Sequence, residues 1–228
     1  MAHMEMIEIP REVPVMTLSG TVLFPQAILP LHIFEPRYRE MLAEVLSGNR
    51  IFAIAALDER KPEERDREPP RPIAGIGIVR ACKKNSDGTS NLILQGLARV
   101  AFESITAESP FRRARIRQCF SRKEGDSATI DAIRSDILEL VRTQIRLGAE
   151  VPSEVVQFLA GIEDSEAALD LAIASLCGAS DLRQQLLETF DLLERHRLFT
   201  DYLKEEIEQL KLDRKLKGDL DDDDLSNN

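Results

Sequence analysis

A chain of 228 residues, 43% hydrophobic and 31% charged with a formal net charge of −10, has the composition of an ordinary soluble protein that can bury one large core or two small ones. It holds no apolar run long enough to cross a bilayer and no basic segment leading into an apolar one, so neither a membrane span nor a secretory signal is expected, and the cytoplasm is the expected compartment. The acidic balance disfavours nonspecific nucleic-acid binding, which depends on cations that release condensed counterions. Five of the acidic residues, Asp219 and Asp221 to Asp224, lie in the last ten positions, so the remainder is closer to neutral.

Met1-Ala2-His3-Met4 reads as a short cloning remnant ahead of a start at Met4, within an N-terminal extension over residues 1–9. The stretch Val13 to Tyr38 then organises the rest. Val13, Val15 and Leu18 form a strand closed by Ser19-Gly20, and Ala27 to Phe34 form a second. Pro30 has no N–H for a ladder, which puts this second strand at an edge or on a bulge. Pro36 opens a helix with Tyr38, Met41, Leu42, Val45 and Leu46 on one face, stopped by Gly48.

Ile51 to Leu57 is a strand buried on both faces. Asp58 to Pro72 mixes both charge signs with four prolines and no large apolar residue, and reads as an exposed, mobile, solvated connection, with a docking element as the other reading. Strands follow over Ile73–Cys82, Asn91–Gln95, Leu97–Thr106 and Phe111–Phe120, the first two joined by the turn Asn85-Ser86-Asp87-Gly88. Gly75 and Gly77 mark a bend or a close backbone approach. Six or seven strands and one helix in residues 10–120 suggest a small closed or half-closed barrel.

From Asp126 the hydrophobic period changes to 3.6. One helix opens at Asp126 or Ser127 and closes at Gly148, two shorter ones open at Pro152-Ser153 and Asp164-Ser165, and another opens near Ser180-Asp181. A long last helix over about 191–217 carries Leu192, His196, Phe199, Leu203, Ile207 and Leu210 along one stripe. Residues 126–217 are thus expected to form a helical bundle, and the acidic run 218–228 to be disordered.

Catalytic signatures are lacking. There is no G-x-x-x-x-G-K-[ST] loop, no G-x-S-x-G elbow and no H-E-x-x-H helix, so no catalytic residue, metal site or cofactor is assigned. Cys82, Cys119 and Cys177 form no C-x-x-C pair and read as buried thiols. His32 and Glu35 lack a third ligand for a metal. Glu35 is accounted for by the helix N-terminus, and His196 by an interface hydrogen bond. The candidate peptide-binding residues are Leu23, Phe24, Ile28, Leu31 and Phe34, around the proline-interrupted strand. The candidate anion-binding residues are Arg113, Arg115 and Arg117, a row on one strand face opposite Ala114, Ile116 and Phe120. The row is open to three readings: a solvated or salt-bridged face, a patch for acidic partners or RNA, or a dock for the acidic tail.

Leu23-Phe24-Pro25, Leu29-Pro30-Leu31 and Ile33-Phe34-Glu35-Pro36-Arg37-Tyr38, in that order, closely resemble the opening signature of the Lon substrate-binding (Lon N-terminal) domain family. Leu94-Gln95-Gly96 with Arg99, and Leu169 through Glu188, resemble later parts of it. The resemblance implies an α+β fold, a mostly antiparallel PUA-like β pseudo-barrel followed by an α-helical bundle. It further implies a non-enzymatic module in stand-alone form, without the ATPase and peptidase domains. Such a module would bind unfolded or tagged polypeptides, with a protease as a further partner and no membrane or cofactor. The alternative is RNA or polyanion binding through the row at residues 113–117.

Overall fold

A computed structural model describes residues 7–225, with side chains outside the description at residues 65, 153 and 217–225. Met1-Ala2-His3-Met4 therefore lies outside the described residues. The elements are β1 (Glu12–Leu18), β2 (Ile28–Ile33), α1 (Pro36–Ser47), β3 (Ile51–Ala56), a 3-10 turn (Pro62–Arg67), β4 (Ile73–Lys84), β5 (Ser90–Ala107), β6 (Arg113–Cys119), α2 (Ser127–Arg146), α3 (Ser153–Ala160), α4 (Ser165–Leu176), α5 (Ser180–Glu188) and α6 (Leu192–Leu225). They fall into two compact units: β1 to β6 with α1 and α5, and α2 to α4 with α6.

In the first unit the strands run in the order β2-β5-β4-β3-β1-β6, and β6 pairs back onto β5, closing a ring of five with β2 outside it. Every pairing is antiparallel except β1 with β3. Closure depends on the length of β5, 18 residues, whose first half pairs with β2 and β4 and whose second half pairs with β4 and β6. The two strands expected over 91–106 are thus one. Its register against β4 shifts at Ile76/Gly77, the bulge that turns a long strand around a small barrel.

All five ring strands direct alternate residues into one cluster: Val13 and Val15, Ala53 and Ala55, Ala74 and Ile76, Ala98 and Val100, Ala114 and Ile116. Side chains from every strand of a closed ring meet in its interior, and alanine at half of these positions suits a narrow barrel. The opposite face of β1, β3 and the start of β5 packs against Tyr38, Met41, Leu42 and Val45 of α1. Phe52 and Ile54 belong to that second cluster, so β3 is buried on both sides as its unbroken apolar run requires.

The segment Leu23–Pro25 crosses β4 and β5 at glycines. A Cβ on Gly75 would lie 2.0 Å from the Leu23 carbonyl oxygen, and one on Gly96 would lie 2.0 Å from that of Phe24. The crossing is tied by Gln26 N–H donating to Gly96 O (2.8 Å) and Gly96 N–H to Ala27 O (2.9 Å).

Three expectations change. The helix opening near Ser180 joins the strand unit: Gln184 Nε2 donates to Ile73 O (3.0 Å), Glu188 pairs with Arg71 (2.8 Å), and buried Arg99 donates through Nε to Leu187 O (3.2 Å). Its destination is set by polar contacts that helical periodicity does not report. The connection over 58–72 is largely exposed, as expected, but several of its charges have protein partners and are not simply solvated. Asp58 is 3% exposed and pairs with Arg60 (2.7 Å), Glu68 pairs with Arg37 (2.6 Å), and Arg112 donates to Arg67 O (2.5 Å) and Glu68 O (2.7 Å). Third, α6 continues through Gly218 to Leu225, where disorder was expected; a single interior glycine costs about 1 kcal/mol, too little by itself to end a long helix.

In the second unit α2 packs against α3, α4 and α6. Asp126 and Asp164 cap α2 and α4, each accepting a backbone N–H three residues on at 2.7 Å. On the α6 stripe Leu192, Phe199, Leu203 and Ile207 are buried, and so is Arg195, fully, between Asp170 (3.2 Å) and Glu166 (3.2 Å).

Candidate binding surface

Along β2 the side chains alternate. Ile28, Pro30 and His32 are exposed, while Leu29, Leu31 and Ile33 turn to the core. Register extends the exposed set across the sheet: Pro30 lies opposite Ile93 of β5 and His32 opposite Asn91, and beyond β5 Ile93 faces Ala81 of β4 and Asn91 faces Lys83. Together they form a shallow, largely apolar groove of about 490 Å³ over three strands. Its rim is fixed at one end, where His32 Nδ1 and Asn91 Oδ1 lie 2.8 Å apart and His32 stacks on Phe34 with ring centroids 6.0 Å apart. Ile28 is 56% exposed and Phe34 61%. Among the described residues β2 pairs on one side alone, with β5, so its other backbone edge is open.

Of the five candidate peptide-binding residues, Ile28 and Phe34 stand at this surface. Leu23 and Phe24 do not: they are 1% and 0% exposed, held in the core beneath the glycine crossings. Leu31 is half-buried: it packs against the α1 cluster and also lines the groove. Pro30, Ala81 and Ile93 were missed as contributors. Strict alternation from Ile28, with the register set by the Asp87-Gly88 hairpin, was the signal that could have found them.

The arginine row keeps its alternation, with Ala114 and Ile116 buried between, but Phe120 leaves the strand end 72% exposed. Arg113 forms an ion pair with Glu44 and lies 4.9 Å from the Phe111 ring centroid. Arg115 sits in register with Glu12 of β1, and β6 is paired along both edges. Arg115 and Arg117 are exposed, and within the row the ion pair is made by Arg113.

Glu35 makes no capping bond at α1; its carboxylate goes to Arg37 (2.8 Å). Arg37 also binds Glu68, which holds the Glu68 carboxyl below its ordinary pKa. The Tyr38 hydroxyl bridges Thr17, accepting from its N–H and donating to its C=O, each at 3.2 Å, and burial pushes the phenol pKa up. In the second unit burial lowers the pKa of His196, whose Nε2 lies 3.7 Å from Asp136. Cys82 and Cys119 are half-buried thiols, and Cys177 is buried.

A closed strand ring flanked by one open-edged strand that bears an apolar outer face defines an α+β module. Comparison with known proteins agrees on the class. Residues 12–205 match the model of the ATP-dependent protease La (LON) substrate-binding domain. The chain is 26% identical to a Lon protease of Desulfosudis oleivorans over 95% of this chain and 26% of that protein, and 28% identical to one of Anaeromyxobacter dehalogenans over 92% and 25%. Among solved structures, the N-terminal domain of a Mycobacterium avium complex Lon protease superposes with a TM-score of 0.65 at 19% identity, over 85% of this chain and 98% of that one. A Lon N-terminal domain protein from Xanthomonas campestris gives 0.59 at 15%, over 85% and 97%. The chain belongs to the Lon substrate-binding domain family, and it spans about a quarter of the length of these curated relatives. Among the described residues no helix is long and apolar enough to cross a membrane.

Proposed function

We propose that this chain binds extended segments of unfolded or tagged polypeptides on the outer face of β2, β5 and β4, in the cytoplasm, and catalyses no reaction of its own. The carrying observation is the coincidence of three features along one strand: the open edge of β2, a groove lined by its Pro30, Leu31 and His32, and the exposed apolar side chains Ile28 and Phe34 on either side of those residues in the sequence. An extended segment laid along such an edge gains main-chain hydrogen bonds, and alternate side chains enter the groove. Pro30 supplies no N–H, so binding there rests more on apolar burial than on a complete ladder. Segments held this way are suited to handover to an ATP-dependent protease, the activity the relatives' names carry.

The test is fluorescence anisotropy of a labelled, reduced and alkylated polypeptide with the full chain. Both Ile28→Asp and Phe34→Asp replace exposed side chains and should leave the fold intact. Losing about 1.4 kcal/mol of apolar burial is a tenfold weakening, which is the expected effect of each. Phe120→Asp, the most exposed phenylalanine and outside this face, should leave binding unchanged. Equal binding by all three variants and the parent overturns the reading, as does an equal loss in Phe120→Asp.

A further inference from the structure

On the side of the β4–β5 hairpin that faces α1 lies a second, larger pocket of about 680 Å³. Its apolar floor is Leu42, Ala43 and Leu46 of α1, and Arg39, Arg50 and Lys84 converge on it, with Glu40 as the one acidic side chain in the lining. In a chain of net charge −10 this local excess of positive charge runs against the whole. Five arginines of this unit, Arg37, Arg60, Arg71, Arg112 and Arg113, form ion pairs with carboxylates. Among the described residues Arg39, Arg50 and Lys84 form none; Arg50 spends Nε on Val79 O (2.9 Å). The nearest acidic turn residue, Asp87, is occupied by the Thr89 N–H (2.9 Å) and hydroxyl (2.7 Å).

Arg39 is also placed by packing. A Cβ on Gly88 would lie 2.1 Å from an Arg39 terminal nitrogen, so the guanidinium rests directly on the bare backbone of the turn. The Gly88 φ of +83° suits glycine at the turn, and the missing side chain leaves the guanidinium its room. Arg39 and Lys84 thus present unused donors above an apolar floor, and the 7% exposed Ser90 hydroxyl adds another. A guanidinium beside an ammonium matches a carboxylate, and the floor matches a short aliphatic body attached to it. The pocket size is that of small-ligand sites.

We propose that this pocket binds a carboxylate carried on a short apolar body. A polypeptide C-terminus ending in an aliphatic residue and a free aliphatic carboxylic acid share that chemistry. The site is separate from the outer face of β2 and does not rest on the segment-binding role, although Cys82 lines both hollows.

The experiment is calorimetric titration of the full chain with acetyl-Ala-Ala-Ala-Leu bearing a free carboxylate, the same peptide as its C-terminal amide, octanoate and octanol. Each carboxylate that is the true source should bind at least tenfold more tightly than its uncharged counterpart. Added salt should weaken it. The Arg39→Gln/Lys84→Gln variant should lose the preference while its melting temperature, and its binding of the unfolded polypeptide, stay at the parent values. Preference by the peptide alone assigns the source to a C-terminus, and an equal preference by octanoate assigns it to a free acid. Equal binding of charged and uncharged forms, no binding, or a preference that survives the double substitution overturns the proposal. Loss of unfolded-polypeptide binding in Ile28→Asp is read separately, so the two readings fail independently.

Discussion

Replacing Gly96 by alanine tests whether the Leu23–Pro25 crossing holds the strand unit together. The added Cβ would meet Phe24 O at 2.0 Å, Phe24 C at 2.9 Å and Pro25 Cα at 3.3 Å, all backbone atoms that cannot rotate away. A carbon to carbonyl-oxygen contact settles at about 3.3–3.6 Å, so the crossing segment must retreat by more than about 1 Å. Retreat breaks the two hydrogen bonds between Gly96 and Gln26–Ala27, about 1 kcal/mol each. It also loosens Leu23 and Phe24, side chains worth about 1.5–3 kcal/mol apiece when fully buried, of which part is lost. The expected destabilisation is about 3 kcal/mol, within the range for overpacked sites. For a chain of this length that corresponds to a fall of about 6–12 °C in melting temperature. The assay is urea unfolding followed by circular dichroism, with Gly161→Ala as control. At Gly161 φ is −81° and the nearest atom to a new Cβ is 3.5 Å away, so alanine there should change stability by under about 0.5 kcal/mol. A loss below about 1 kcal/mol in Gly96→Ala would refute the claim that backbone proximity is what requires glycine.

Two further outcomes follow from polar contacts in the same unit. Tyr38→Phe leaves the Thr17 N–H and C=O without the hydroxyl between them, and the expected cost is about 1–3 kcal/mol by urea unfolding. In the parent, the raised Tyr38 pKa means that its contribution to stability is complete below about pH 10 and declines as pH rises through the folded value. Ultraviolet titration of the two tyrosines should therefore show a late-ionising one that the variant lacks. The paired carboxyls of the 58–68 connection behave in the opposite sense. Asp58, hydrogen-bonded by Arg60, and Glu68, hydrogen-bonded by Arg37, both have lowered pKa values, so the stability they add is present above about pH 4 and lost as pH falls through their folded values. Amide exchange over residues 62–68, corrected for intrinsic rate, should accelerate relative to the barrel strands between pH 6 and pH 3. Unchanged protection would mean that those ion pairs do not hold the segment.

The sequence carried the elements of this fold well because each has a local cause. The apolar residues before the Ser19-Gly20 turn gave β1, the buried run gave β3, Pro36 and Gly48 bounded α1, and Asp126 and Asp164 capped their helices. Pro30 was legible as an edge residue, and Gly75 as a close approach, since both follow from what the backbone lacks. What could not be read is non-local. Nothing near Glu12 announces Arg115, yet that register closes the ring. Arg195 occupies a stripe position where periodicity expects an apolar residue, because its partners lie on another helix. The charged connection looked solvated because Arg37, which pairs with Glu68, and Arg112, which donates to the Glu68 carbonyl, belong to segments distant in sequence. The candidate site was half legible for the same reason: a recognisable Leu-Phe-Pro string says that the residues are constrained, and the constraint on Leu23 and Phe24 turns out to be the glycine crossing.

That division has a consequence for how the proposed binding face can vary. The α1 cluster takes the inward residues of β2, Leu29, Leu31 and Ile33, while Ile28, Pro30 and His32 are exposed. A closed ring has no free edge of its own, so its stability does not depend on what lies against β2. Side chains on the outer face contribute little to folding, and exchanging them changes the ligand more readily than the fold. The His32–Asn91 contact and the stack on Phe34 hold part of that face in place before any ligand arrives, which lowers the ordering cost of binding. A surface that is prepared by the barrel but not required by it is suited to accept many extended segments weakly.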